Sequence, residues 1–324
     1  MQLKSVISID MGGTKVLVSV INKEEGITAR LKVPTNPEAG GDAYVETLAS
    51  TIKDIMAEND LKEKHIEAVC LGVPGSVNPY TGVIYLAPNI GLKNFNIKEK
   101  LQKKISFPVL VENDVNLGAL GIKYFGVGKN STDMLAVFIG TGIGGGLILN
   151  GKIYRGSNFV AGEIGHILVD KNGPVCGCGN RGCFETIASR TAIVNKITED
   201  IKKGKQSKLA AKVKSGQRIK SKALANALEI GDKVVTKRIS EACNVIGGVL
   251  ASQANFLNFN LIVLGGGMIE AMDGFMIPKI RDAFHNHVLK ASARDLKILP
   301  SKLGDDAAIW GGIALAEEFL GETF

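Results

Sequence analysis

A chain of 324 residues, 45% apolar and 22% charged, has ample material for a globular core and room for two domains of ordinary size. No run reaches eighteen unbroken apolar residues, and MQLKSVISID has neither the long apolar region nor the cleavage site of a signal peptide. A transmembrane helix and a membrane partner are therefore not expected, and cysteines better suited to metal than to disulfides point to a reducing cytoplasm. The net charge of +7 is local, because ten basic residues face two acids between Lys196 and Lys222, leaving about −1 for the rest. That segment has no aromatic residue to stack on bases, so a solvated helical surface is expected and nucleic acid is not expected as a partner.

In chain order, Ser5–Asp10 and Lys15–Asn22 are rich in β-branched residues and read as strands, with Met11-Gly12-Gly13-Thr14 as the turn between them. Ile27–Pro34 adds a third strand. Gly41–Glu58 carries Tyr44, Val45, Leu48, Ile52, Ile55 and Met56 at helical spacing. Ala68–Val73 is a short buried strand ending at Pro74-Gly75. Val109–Glu112 is another, ending at Asn113-Asp114, with a helix following through Tyr124. The opening pattern then returns. Met134–Ile139 is a strand, Gly140–Gly146 a glycine turn, and Leu147–Asn150 the start of a second strand, so the chain carries an internal duplication at domain scale. Helices are expected at Thr186–Asp200 and Asp232–Leu257, the second buried and carrying Val245, Ile246, Val249, Leu250 and Phe256. Leu261–Leu264 is a strand entering Gly265-Gly266-Gly267. Asp306–Phe319 is a helix whose glycines imply close packing on a neighbour.

Three glycine turns thus follow three short apolar strands. Glycine lets backbone N–H groups approach a polyanion with no Cβ in the way. Singly each could be a hairpin turn. Together, with Asp10 before the first and Thr14 after it, they favour phosphate binding. Lys15 could touch a phosphate or stand solvated on its strand. No Walker pattern occurs. Gly140, Gly142 and Gly145 satisfy G-x-G-x-x-G, but a strand rather than a helix follows them, which excludes a dinucleotide fold.

His166, Cys176, Cys178 and Cys183 fall within eighteen residues and form a complete tetrahedral ligand set for Zn²⁺, with no open position for catalytic water. Such a zinc is structural. It would hold something beside it, and Glu163 and Glu185, which frame the cluster, are the first candidates. Cys70 and Cys243 sit in apolar runs and read as core, and Trp310 reads as packing.

Asp10-Met11-Gly12-Gly13-Thr14 resembles the first phosphate motif of the actin-like ATPases, Phe138–Gly146 the second, and Leu264–Gly267 their adenosine motif. Gly140 through Glu185, with ExGH followed by H-x9-C-x-C-x4-C, is similar to the signature of the ROK family of repressors and sugar kinases. The resemblance implies an α/β, two-domain actin-like ATPase (ribonuclease H-like) fold with a central cleft. We place residues 1–118 with 306–324 in a small domain and 119–305 in a large one. It also implies that Asn113 binds sugar hydroxyls and Asp114 is the catalytic base. Gly75, Glu163, His166 (through the ring nitrogen facing away from zinc) and Glu185 would complete the sugar pocket. Gly12, Gly13, Thr14, Gly140, Thr141, Gly142, Gly265, Gly266 and Gly267 would hold ATP, with Asp10 near Mg²⁺ through water.

Each acid also has a plainer reading: Asp114 as a helix N-cap, Glu163 as a loop acid, Glu185 as a helix N-terminal charge. The implied activity is ATP-dependent phosphorylation of a hexose at the 6-hydroxyl, with glucose first. N-acetylmannosamine, N-acetylglucosamine, fructose or allose are the alternatives within the class, and a homodimer or homotetramer is expected. A sugar-responsive transcription regulator is the alternative outside it; such proteins carry a helix-turn-helix domain ahead of the first phosphate motif, for which the nine residues before Asp10 leave no room.

Overall fold

The computed structural model describes residues 3–321, so the expected domain ranges run slightly past the described residues at both ends. The chain opens with β1 (Ser5–Met11), β2 (Lys15–Asn22) and β3 (Gly26–Pro34), an antiparallel meander, followed by α1 (Gly41–Glu58) and β4 (Ile66–Val73). A small hairpin sheet of β5 (Ser76–Val77), β6 (Val83–Ala87) and β7 (Leu92–Asn96) comes next, then α2 (Ile97–Gln102), β8 (Val109–Asn113) and α3 (Asp114–Phe125). The first large sheet has the order β3-β2-β1-β4-β8, with β4 parallel to both β1 and β8.

The second half repeats this plan. β9 (Met134–Ile139), β10 (Ile143–Leu149) and β11 (Lys152–Ile153) form an antiparallel meander. Helices α4 (Phe184–Ala188), α5 (Arg190–Lys202), α6 (Ala210–Lys214), α7 (Ser221–Glu229) and α8 (Lys233–Leu257) precede β12 (Leu261–Gly265). α9 (Gly267–His285), α10 (Lys290–Ala293), β13 (Lys297–Pro300) and α11 (Ala307–Leu320) complete the chain. The second sheet has the order β11-β10-β9-β12-β13, the same arrangement as the first, with β12 parallel to β9 and β13. The duplication read from the strand–glycine–strand pattern is therefore present at the level of topology. No helix among the described residues is long and apolar enough to cross a membrane.

α11 and α3 pack almost backbone to backbone. A Cβ on Gly121 would lie 1.9 Å from the Ala307 carbonyl oxygen, and one on Gly311 would lie 1.9 Å from that of Leu117. Trp310 stacks near Phe125 with ring centres 4.8 Å apart, as packing. Cys70 and Cys243 are buried among apolar residues. The basic segment between Lys196 and Lys222 is largely exposed along α5, α6 and α7.

Three expectations change. The glycine run from Gly140 is not one long turn: β10 begins at Ile143, and Gly144 and Gly146 lie inside it because α3 presses on that face. A Cβ at Gly144 would meet Val115 at 2.6 Å, and one at Gly146 would meet Ala119 at 2.5 Å. The helix expected at Thr186–Asp200 starts earlier and is broken at Ser189, which ends α4 and is the N-cap of α5, its hydroxyl accepting the Ala192 N–H. Phe256 is not buried but 82% exposed. Leu250, Ala251 and Ala254 face inward, and a residue two places past Ala254 points to the other side of the helix.

Candidate active site

The end of β8 and the start of α3 carry the first pair of candidate side chains. Asn113 caps α3: its Oδ1 accepts the N–H groups of Val115 and Asn116 at 2.9 and 3.0 Å. Its Nδ2 donates to the Gly75 carbonyl at 3.1 Å, which leaves one amide hydrogen for a ligand. Gly75 is held at φ +152°, where a Cβ would lie 2.3 Å from the Leu86 carbonyl oxygen, so the hairpin sheet sits directly behind this contact. Asp114 opens α3 and its Oδ1 accepts its neighbour's N–H at 2.9 Å. The plainer reading of Asp114 as the N-cap is therefore corrected: Asn113 makes the cap, and Asp114 is the first residue of the helix.

Asp114 is half-buried and its pKa is pushed up to about 7. Burial is the largest cause, and the negative charges of Asp10 and Glu163 add to it. Asp10, at the end of β1, is crowded by protein while remaining reachable by solvent. Its pKa is likewise raised, first by that enclosure, then by Asp305, against the pull of Lys15. Asp305, on the turn ahead of α11, is a residue that sequence reasoning missed. Asn113, Val115, Gly144, Gly145, Phe159 and Glu163 line one cleft, in which the two halves of the molecule face each other.

Glu163 precedes the single helical turn Ile164–His166, and its carboxylate lies 3.7 Å from His166 Nε2. The other ring nitrogen, Nδ1, faces Cys176 Sγ at 3.5 Å. The donor atoms of His166, Cys176, Cys178 and Cys183 all lie within 4.8 Å of one another. One nitrogen and three sulfurs in so small a volume suit a tetrahedral Zn²⁺, whose ligand atoms stand roughly 3.5–4 Å apart at ordinary bond lengths. The chain folds tightly enough for this because Gly182 sits at φ +73° against the Asp170 carbonyl and Cys176 N–H bonds the Asn180 carbonyl at 2.7 Å. Glu185, in the first turn of α4, accepts from the Cys176 thiol at 3.1 Å and stands 3.9 Å from His166 Nδ1.

The same Glu185 reaches the second glycine turn, where a Cβ on Gly142 would lie 2.6 Å from its Oε2. Gly140 N–H bonds the Gly142 carbonyl at 2.9 Å, and the Arg190 N–H bonds the Gly140 carbonyl at 2.9 Å. Arg190 Nη2 donates to Thr141 Oγ1 at 2.5 Å. A cavity beside this turn is lined by Thr141, Arg190, Thr191, Asn195 and Arg218, with no carboxylate in its lining among the described residues. The Arg190 pKa is lowered by burial and then by Arg218, so two cations face a space that an anion would fill. Neither arginine stood out in the sequence, because nothing local marks them.

The third turn packs on this one, while the first packs against the segment between β6 and β7. In the first, Gly12 N–H bonds the Lys15 carbonyl at 3.0 Å, and Thr35 and Tyr44 hydroxyls donate to the Gly12 carbonyl. Gly13 abuts the Asn89 carbonyl, at 2.3 Å from where its Cβ would be. In the third, Gly266 lies against Ile139, the residue before Gly140, and Gly267 begins α9. Asp114 thus has the charges of Asp10 and Glu163 as neighbours, Glu163 neighbours His166, and His166 neighbours Glu185, while Thr14 and Lys15 are exposed on the first turn.

The ROK family model matches residues 6–319. A glucokinase from Halalkalibacterium halodurans is 34% identical over 307 residues, which is 94% of this chain and 93% of that one. A ROK family glucokinase from Streptomyces griseus, solved with glucose and AMPPNP, superposes with a TM-score of 0.83 at 29% identity, over 97% of this chain and 99% of that one. A ROK family transcriptional regulator, a homologue of the E. coli MLC protein, superposes with a TM-score of 0.87 at 26% identity, over 98% of this chain and 78% of that one.

Proposed function

This chain belongs to the ROK family, and we propose that it is an ATP-dependent sugar kinase that phosphorylates a hexose at its 6-hydroxyl, glucose first. The observation that carries this reading is the Asp114 carboxyl. It stands at a strand end between Asp10 of the first glycine turn and Glu163 of the facing arm, with its pKa near 7.

A sugar hydroxyl is a poor nucleophile, and a carboxylate that takes its proton as it attacks phosphorus accelerates the step. A base titrating near neutral pH is half ionised there and accepts the proton strongly. The remaining hydrogen of Asn113 Nδ2 and the acids Glu163 and Glu185 offer donors and acceptors to the other hydroxyls. His166 presents Nε2 on the same side. Opposite them, the glycine turns offer backbone N–H groups to the phosphates, and Arg190 and Arg218 add positive charge. Mg²⁺ held near Asp10 with the nucleotide would neutralise phosphate charge. Zn²⁺ held by His166, Cys176, Cys178 and Cys183 would fix the loop that carries Glu163 and Glu185, with no part in the chemistry. Residues 1–118 with 306–324 and residues 119–305 are our division into domains, joined through α3. A cytoplasmic homodimer or homotetramer completes the reading.

The test is a hexose panel with ATP and Mg²⁺, following ADP release. Glucose is expected to give the highest kcat/KM. Better turnover of another hexose would reassign the substrate, and no sugar-dependent ADP release would overturn the kinase. The likeness to the transcriptional regulator favours a second reading as a sugar-responsive DNA-binding protein. Specific retention of genomic fragments in a gel shift at moderate salt would support it.

A further inference from the structure

We infer that Arg155 is a positioning residue, one guanidinium that sets the separation between the Asp114 base and the sugar-binding acid Glu163. The inference rests on the roles proposed above for those two carboxylates.

Arg155 follows β11 and is only 8% exposed. Its Nε donates to Glu112 Oε2 at 2.6 Å, and its two Nη groups donate to Glu318 Oε1 and Oε2 at 2.7 and 2.9 Å. Glu112 is 2% exposed and is the strand residue immediately before Asn113-Asp114. Its other oxygen accepts the Asn113 N–H at 2.9 Å and Asn116 Nδ2 at 3.0 Å. The guanidinium therefore grips, through one carboxylate, the backbone that carries the base. Its own carbonyl accepts the Ala161 N–H at 3.0 Å, which folds the arm back so that Gly162 and Glu163 follow directly. The same residue thus fixes the start of the arm that carries the sugar acid.

Aromatic rings support the arm on its outer side. Arg155 lies over the Phe319 ring at 5.7 Å, Tyr80 packs on Phe319 at 5.7 Å, and Phe159 packs on Tyr80 at 5.8 Å. Phe159 is held at φ +60°, an uncommon conformation for a bulky residue, at the tip of the same arm. Three elements (the end of β8, the end of α11 and the arm) meet on one planar fork. A lysine cannot reproduce that geometry, because its ammonium is a point charge without the fixed spread of donors.

The experiment compares R155K, R155M and the R155M/E112Q double variant with wild type. It measures kcat and KM for the sugar, the pH profile of kcat/KM, and sugar binding by calorimetry, with folding checked by circular dichroism. In R155K the charge remains and the fork is lost. We expect sugar KM to rise at least tenfold and kcat/KM to fall by about 100-fold, the scale of an ångström-sized misplacement, with the KM for ATP within twofold of wild type. In R155M the buried Glu112 carboxylate, two residues from Asp114 in the chain, loses its counter-charge, so the acid limb of the profile should move to higher pH. Adding E112Q should return that limb to its wild-type position while the sugar KM stays high.

A purely structural role would lower stability without this split. Wild-type sugar KM in folded R155K and in the double variant would overturn the inference, as would an unmoved acid limb in folded R155M. If R155M fails to fold, the other two variants still decide. A wild-type protein with no hexose turnover would sink the kinase reading instead, and the weakened sugar binding of R155K in calorimetry would still test the positioning role.

Discussion

Replacing Asp114 by asparagine should make the protein more stable as it abolishes turnover. The carboxyl titrates at about 7 rather than at its ordinary 3.8, so the folded chain holds that proton more tightly than the unfolded chain does. Its contribution to stability is therefore fully present below pH 3.8 and is lost as pH rises through 7. A little over three pH units at ~1.4 kcal/mol each puts the cost of the ionised group at up to about 4 kcal/mol above pH 7, falling to about 1–2 kcal/mol at pH 5 and nothing near pH 3. Asparagine keeps an oxygen for the Val115 N–H and carries no charge. Urea unfolding of wild type and Asp114→Asn at pH 8, 5 and 3.5 should show the gap closing in that order. In parallel, wild-type kcat/KM for the sugar at saturating ATP and Mg²⁺ should fall tenfold per pH unit below about 7, because only the ionised carboxylate accepts a proton. In the variant kcat should fall by about 10²–10⁴-fold while calorimetry still detects the sugar. A pH-independent gap, or an acid limb near pH 4, would refute the argument that burial and neighbouring charge tune this group, and undiminished turnover in Asp114→Asn would remove it as the base.

Elemental analysis should find about one zinc per chain, and Cys178→Ser should release it and raise the sugar KM by about 10–100-fold; full activity in metal-free protein would defeat this. Gly75→Ala, whose Cβ would meet the Leu86 carbonyl oxygen at 2.3 Å, should shift the acceptor of Asn113 Nδ2 and raise the sugar KM with little change in that for ATP. Gly311→Ala should lower unfolding free energy by about 1–3 kcal/mol or more, since the methyl meets the Leu117 carbonyl oxygen at 1.9 Å, and denaturant melts will read it directly. Arg190→Ala should raise the KM for ATP several-fold and leave sugar binding intact, with an unchanged ATP KM showing that the cavity beside Thr141 is not used by the nucleotide.

Much of this arrangement could be read from local patterns. The β-branched runs of β1, β2, β4 and β9 declare themselves because each is short, apolar and bounded by glycine or proline. The ligand cluster from His166 to Cys183 was legible because its four donors are close in sequence as well as in space. Asn113 and Asp114 stood out because they match the family's Asn-Asp pair at a strand end. What escaped notice depends on distant partners. Arg155 and Glu112 lie 43 residues apart, and Arg155 and Glu318 lie 163 apart, so neither pairing has a local signal. Asp305 and Asp10 meet only through the return of the chain to the first sheet. In the hairpin sheet, β5 is two residues long, β6 is apolar throughout and β7 mixes Lys93, Asn94 and Asn96 with Leu92 and Phe95, so none shows the alternation that would announce a strand. Gly144 and Gly146 looked like turn residues because the helix that demands their smallness is thirty residues upstream.

Helices separated by long side chains can creep past one another as rotamers change, each small step meeting a low barrier. Where α3 crosses α11 there is no such cushion: the peptide oxygens of Ala307 and Leu117 occupy the room that methyl groups on Gly121 and Gly311 would need. Translation along either axis would drive an oxygen into a Cα, and because the two contacts lie a turn apart on each helix, the crossing resists rotation as well. Seven residues of helix separate Gly121 from Asp114, a lever of ~10 Å at 1.5 Å per residue. Asp114 is therefore carried at a fixed reach from the crossing, and a methyl group at either glycine would displace the carboxylate as well as loosen the helices.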